Sequence, residues 1–182
     1  VQLHNADVGF ATDPDGDRLA VVDENGLPLS EEYTLAICAD GFYNTTNSSK
    51  PLVTNLSSTL ALDRVAEKYG CSVIRSAVGE INVVNKMKEV NAELGGEGNG
   101  GVILPESHYG RDSLVAAAMF LNRMTQNTQK VSEIFKSMPQ YVMVKDKIGL
   151  GSVDPQSILD KMEQKFSDVK SDKTDGLKLS WD

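Results

Sequence analysis

Asp13-Pro14-Asp15-Gly16-Asp17-Arg18 sets three carboxylates at alternate positions and follows them at once with a guanidinium. Hard cations such as Mg2+ and Ca2+ take several oxygen ligands, and carboxylates supply them. Three like charges within five residues repel one another, and a bound cation removes that cost. Farther along, Gly95-Gly96-Glu97-Gly98-Asn99-Gly100-Gly101 is a glycine-rich run carrying one acid and one amide. Glycine lets backbone approach a ligand closely because no Cβ intervenes. A carboxylate accepts hydroxyl protons, while an amide both donates and accepts, so Glu97 and Asn99 suit neighbouring hydroxyls of a polar ligand. The two runs together point to a metal site and a polar-ligand site in one molecule.

Other chemistries fit these runs less well. With Asp13 as position one of an EF-hand loop, acids fall at one, three and five, and Glu24 falls at twelve. Position six, which should be glycine, is Arg18, and both flanks read as strands rather than helices. The glycine run lacks the Gly-Lys-Ser/Thr ending of a phosphate-cradling P-loop. It also lacks the glycine spacing of a dinucleotide fingerprint. Cys38 and Cys71 show no metal or redox spacing and read as small core residues.

Two further stretches, Ser76-Ala77-Val78-Gly79-Glu80 and Tyr109-Gly110-Arg111-Asp112-Ser113-Leu114, complete an ordered set of four. In that order they resemble the motifs of the α-D-phosphohexomutase superfamily, which includes phosphoglucomutases, phosphomannomutases and phosphoglucosamine mutases. The resemblance implies that Asp13, Asp15 and Asp17 hold Mg2+ together with a phosphoserine oxygen from another domain. It implies that Arg18 is a catalytic donor to the phosphoryl group. It makes Glu97, Gly98, Asn99 and Gly100 the sugar-binding loop. Family members have four domains, and neither the serine loop nor the phosphate-gripping loop is found here. The resemblance thus divides the chain into residues 1–30, the end of domain two; 31–140, domain three; and 141–182, a linker and the start of domain four. The absent domains 1 and 4 are the partners it implies. The expected substrate is a phosphosugar, with a lean toward glucosamine or mannose phosphate, and the fragment alone is expected to be inactive; the alternative is a calcium- or sugar-binding module without enzymatic activity.

The elements that must position these residues follow an α/β alternation, a mixed sheet with flanking helices. Strands are expected near 8–11 and 19–23, with the acidic run between them. Ser30 is expected to cap a helix to Tyr43, and Ser57 or Ser58 the helix that ends at Gly70. Strands are expected at 52–56, 71–75, 92–96 and 102–104, and helices at 80–90, 112–126 and 130–137. Glu80 reads as a helix-start acid, His108 as a surface residue and Asp112 as a cap. Tyr141 to Lys147 reads as a strand, and Asp154-Pro155 opens a helix with an apolar stripe at Ile158, Leu159, Met162 and Phe166. Leu177, Leu179 and Trp181 alternate as a strand whose partner is not visible downstream; with Val1 at the start, this reads as an excised segment. At 182 residues and 40% hydrophobic content the chain can bury a core. The net charge of −8 argues against a nucleic-acid partner. No apolar run reaches the ~20 residues that span a bilayer, no signal peptide is visible, and a reducing cytoplasmic setting is the expectation.

Overall fold

A computed structural model describes residues 1–181. Two strands, β1 (Gly9–Thr12) and β2 (Leu19–Val22), pair antiparallel as a hairpin. The chain then enters α1 (Glu32–Thr46), most of whose residues are buried. A helix covered nearly all round belongs to a protein interior. β3 (Leu52–Asn55), α2 (Ala61–Lys68), β4 (Val73–Ser76), α3 (Glu80–Val90), β5 (Leu94–Glu97) and β6 (Gly101–Ile103) follow. The sheet order is β4-β3-β5-β6, with β3 parallel to β4 and β5, and β6 antiparallel to β5. α4 (Ser113–Asn127) and α5 (Val131–Ser137) return over the sheet side that α1 covers.

Alternation along the strands separates the two faces. Leu52, Leu94 and Val102 join the core built with α1, α2, α4 and α5. Val53 and Ile103 join a smaller core with Val83, Val84 and Met87 of α3. The result is the expected α/β class, a mixed sheet between helical layers. Val1–Tyr141 forms one compact unit and Val142–Asp182 a second. In the second unit, Asp154 Oδ2 accepts from Ser157 N at 3.0 Å and opens α6 (Pro155–Lys165), and β7 (Lys170–Asp172) pairs antiparallel with β8 (Lys178–Ser180). Phe166 meets Trp181 edge to face at 5.7 Å. Among the described residues, no helix is long and apolar enough to cross a membrane.

Four local expectations are corrected. Ser30 does not cap α1; the helix starts at Glu32 with no side-chain cap bond. Ser57 and Ser58 do not cap α2, which begins only at Ala61; their hydroxyls turn to Asn55 instead. Residues 141–147 form no strand, because no ladder partner meets them. The partner of the last strand lies upstream, in β7.

Candidate functional site

The acidic run is the loop of the β1–β2 hairpin, so strands flank it and the EF-hand alternative has no helices to stand on. Gly16, at φ +73°, lets the loop fold back on itself. Asp13 Oδ1 accepts the backbone N–H groups of Asp17 and Arg18, each at 3.1 Å. Asp13 Oδ2 accepts from Arg18 Nε at 2.6 Å. Ligand atoms of Asp13, Asp15 and Asp17 all lie within 4.8 Å of one another. Burial raises both Asp13 and Asp17. At Asp13 the hydrogen bonds from Arg18 outweigh it and hold the carboxyl well below its ordinary range. At Asp17 burial and the adjacent Asp13 outweigh the attraction of Arg111, and its pKa is raised. Carboxylates crowded without a counter-cation behave this way. Asp17 Oδ1 is buried with no hydrogen-bond partner among the described residues. Arg18 Nε stands 3.5 Å from that oxygen, too far for a hydrogen bond, and three convergent carboxylates with one oxygen not hydrogen-bonded fit a hard divalent cation.

The glycine run is the β5–β6 hairpin. Glu97 ends β5 and Asn55 ends β3, two adjacent parallel strands. From β3 the chain crosses first to β4 on one side and then to β5 on the other. That topological switch point is where ligand crevices open in α/β sheets. Glu97 is 3% exposed. Its Oε1 accepts from Asn55 Nδ2 at 2.7 Å and from Gly79 N at 3.2 Å, and its Oε2 from Arg111 Nη1 at 2.7 Å. Ser58 Oγ donates to Asn55 Oδ1 at 2.9 Å and accepts from Gly98 N at 3.0 Å. Gly98 packs on the Glu32 carboxylate, and Gly100, at φ +91°, on the backbone of Leu19, so neither has room for a Cβ.

The two loops meet. Leu19 N donates to Gly100 O at 3.0 Å, and Ser113 N to Gly16 O at 3.0 Å. Arg111 bonds Glu97 through Nη1 and Asp17 through Nη2. A cleft of about 220 Å3 is lined by Thr12, Asp13, Arg18, Leu19, Glu31 and Asn99, so the acidic loop and the amide of the glycine loop open on one recess. Arg18, with 45% of its side chain exposed, reaches that recess. Asp112 caps α4 as expected, accepting from Leu114 N at 2.7 Å and Val115 N at 3.0 Å. Its other oxygen meets His108 Nε2 at 3.0 Å. Glu80 Oε1 accepts from Arg111 N at 2.8 Å, a contact beyond a helix-start role. Sequence reasoning missed Asn55 and Ser58 as supports of Glu97 and left Arg111 without a role. The position of Asn55 at the carboxyl end of the strand Leu52-Val53-Thr54 was the available signal.

Residues 30–141 match the family model described as phosphoglucomutase/phosphomannomutase, alpha/beta/alpha domain III. A phosphoglucomutase/phosphomannomutase of Thermococcus kodakarensis is 34% identical over 184 residues, covering 100% of this chain and 40% of that protein. A phosphoglucosamine mutase of Campylobacter hominis is 35% identical over 179 residues, covering 98% of this chain and 40% of that protein. A crystal structure of a phosphoglucomutase/phosphomannomutase family protein from Burkholderia thailandensis superimposes with a TM-score of 0.78 at 24% identity, covering 99% of this chain and 39% of that one; it shares the fold. The chain thus spans about 40% of the length of the curated relatives it matches. With the domain III model matched over residues 30–141, more than half of the chain, and with a relative 34% identical along all of it, the chain belongs to the phosphoglucomutase/phosphomannomutase family.

Proposed function

We propose that this chain is the central part of a phosphohexomutase, which moves phosphate between the 1- and 6-positions of a hexose phosphate through a phosphoserine and a bisphosphorylated sugar. The observation that carries the reading is the shared cleft: Asp13 and Arg18 of the acidic loop and Asn99 of the glycine loop line one recess. In this reading Asp13, Asp15 and Asp17 hold Mg2+, which when bound neutralises charge on the transferring phosphoryl group. Arg18 presents its guanidinium to phosphoryl oxygens, a geometry suited to bidentate donation. Asn99 donates to and accepts from ring hydroxyls. Glu97 already receives three protein donors. A carboxylate offers about four lone-pair positions, so one remains for a sugar hydroxyl. Gly98 and Gly100 keep the loop backbone close to the ring.

The same reading assigns residues 1–30 to the end of domain two, 31–140 to domain three, and 141–182 to a linker and the start of domain four. Its partners are the phosphosugar and the remaining domains of the longer chain, and its setting is the cytoplasm. Glucosamine or mannose phosphate is the preferred substrate. A coupled mutase assay on the complete polypeptide, offered glucosamine, mannose and glucose phosphates, tests this. Mg2+-dependent turnover that collapses in Asp15→Asn and Glu97→Ala is expected, with no turnover by the 182-residue chain alone. A folded, serine-phosphorylated protein that turns over none of the three would overturn the proposal.

A further inference from the structure

Resting on the mutase reading of the two loops, the geometry points to Arg111 as a positioning residue that couples them, fixing a metal-binding carboxylate and a sugar-binding carboxylate with one guanidinium. Its Nη1 donates to Glu97 Oε2 at 2.7 Å and its Nη2 to Asp17 Oδ2. Only 16% of the side chain is exposed. The guanidinium is planar and its donors are fixed relative to one another, so the two carboxylates it holds are fixed relative to one another too. Because Arg111 occupies Asp17 Oδ2, the oxygen left for a cation is Oδ1, which is buried, makes no hydrogen bond among the described residues and stands 3.5 Å from Arg18 Nε. Arg111 thereby selects which oxygen of Asp17 faces a metal.

The surrounding backbone holds this strut at both ends. Asp112 N donates to Val102 O of the glycine hairpin at 3.0 Å, and Ser113 N donates to Gly16 O of the acidic loop at 3.0 Å. Arg111 N itself donates to Glu80 Oε1 at 2.8 Å, and Glu80 Oε2 stands 3.7 Å from the buried Arg111 Nε. Gly101 completes the fit: a Cβ there would run into the Arg111 side chain at Cδ. The glycine loop therefore leaves room for the arginine stem as well as for a ligand.

The test uses the complete polypeptide as wild type, Arg111→Gln, Arg111→Lys and Gly101→Ala. Mn2+ affinity is read by electron paramagnetic resonance without sugar. Amide exchange at residues 98–101 is read without metal, and KM for the hexose phosphate at saturating Mg2+. Partners that orient a metal-bound carboxylate change metal affinity 10–100-fold when lost. Arg111→Gln should weaken Mn2+ by about that factor, speed amide exchange in the glycine loop, and raise KM even with metal saturating. Arg111→Lys, a single point donor, should rescue at most one of the two arms. Gly101→Ala should shift both arms while retaining the arginine, and it decides the matter if Arg111→Gln fails to fold. Mn2+ affinity and loop exchange both within twofold of wild type, with only the melting temperature lowered, would overturn the proposal. If the wild type turns over no hexose phosphate, the mutase reading falls, while the Mn2+ and exchange measurements still decide the coupling.

Discussion

Asn55→Asp is the smallest perturbation that addresses the floor of the site. Asn55 Oδ1 accepts from Ser57 N at 3.0 Å and from Ser58 Oγ at 2.9 Å, and an aspartate keeps both bonds. Only the other atom changes: Nδ2, which donates to Glu97 Oε1 at 2.7 Å, becomes an acceptor. Two carboxylates with charge centres ~4 Å apart repel by about 4 kcal/mol at an effective dielectric constant near 20. The pair can escape by taking up one proton, which restores a donor between them. Each pH unit above an ordinary carboxyl pKa makes that proton cost about 1.4 kcal/mol. The two routes agree on a loss of roughly 4 kcal/mol at pH 7, shrinking to about 1–2 kcal/mol at pH 5. The sign follows from linkage: a carboxyl whose folded pKa is raised contributes stability below its unfolded pKa and loses it as pH rises through the folded value. Urea unfolding of wild type and variant at pH 5, 6, 7 and 8, with slopes compared, reads this directly. A loss of the same size at every pH would show that Asn55 and Glu97 are not in contact, and the floor of the site would have to be redrawn.

Other perturbations have equally definite outcomes. Asp40, 2% exposed, accepts from Arg123 Nε at 2.6 Å, Lys68 Nζ at 2.7 Å and the Tyr69 hydroxyl at 2.9 Å, tying α1 to α2 and α4. Asp40→Asn should cost about 3–5 kcal/mol because it strands the buried Arg123; a loss below 1 kcal/mol in urea would refute the pairing. Burial raises the Asp40 pKa, but these three donors outweigh it and the net shift is downward. Its contribution is therefore present above the unfolded pKa and is lost as pH falls through the folded one, so wild type and Asp40→Asn should converge under acid unfolding. Gly100→Ala should cost about 1–3 kcal/mol through positive-φ strain, with a further loss because its Cβ meets Leu19 backbone; calorimetry showing no change in melting would exclude that approach. Asp15→Asn should weaken Mg2+ binding at least tenfold by calorimetric titration, since it removes one of three convergent charges.

What was legible in the sequence was what is local. Asp13, Asp15 and Asp17 converge because they share one hairpin loop, and Asp112 caps α4 because its donors lie two and three residues on. The bounds of α3, Glu80–Val90, follow from the turn at Gly79 before it and the left-handed Asn91 after it. What was not legible depends on partners far along the chain. Arg111 meets Asp17 across 94 positions, and no spacing rule reaches that far. Ser58 looked like a helix cap because a cap is its usual local use, yet Asn55 and Gly98 engage it instead. Tyr141 to Lys147 opens with an apolar run of strand-forming residues but finds no ladder, whereas Lys170-Ser171-Asp172 has little strand propensity and pairs because β8 is beside it. The placement of Glu97 at the switch point needed the strand order, which only the fold supplies.

The acidic loop and the glycine loop are proposed to form a single site for one metal-assisted phosphosugar reaction. A crystal structure of the complete polypeptide with Mg2+ and a hexose bisphosphate tests it most directly. The expected result is one six-coordinate ion on Asp13, Asp15 and Asp17, with ring hydroxyls on Glu97 and Asn99 in the same cleft and Arg111 still bridging Asp17 to Glu97. A sugar bound away from the glycine loop, or an ion bound without all three aspartates, would contradict it.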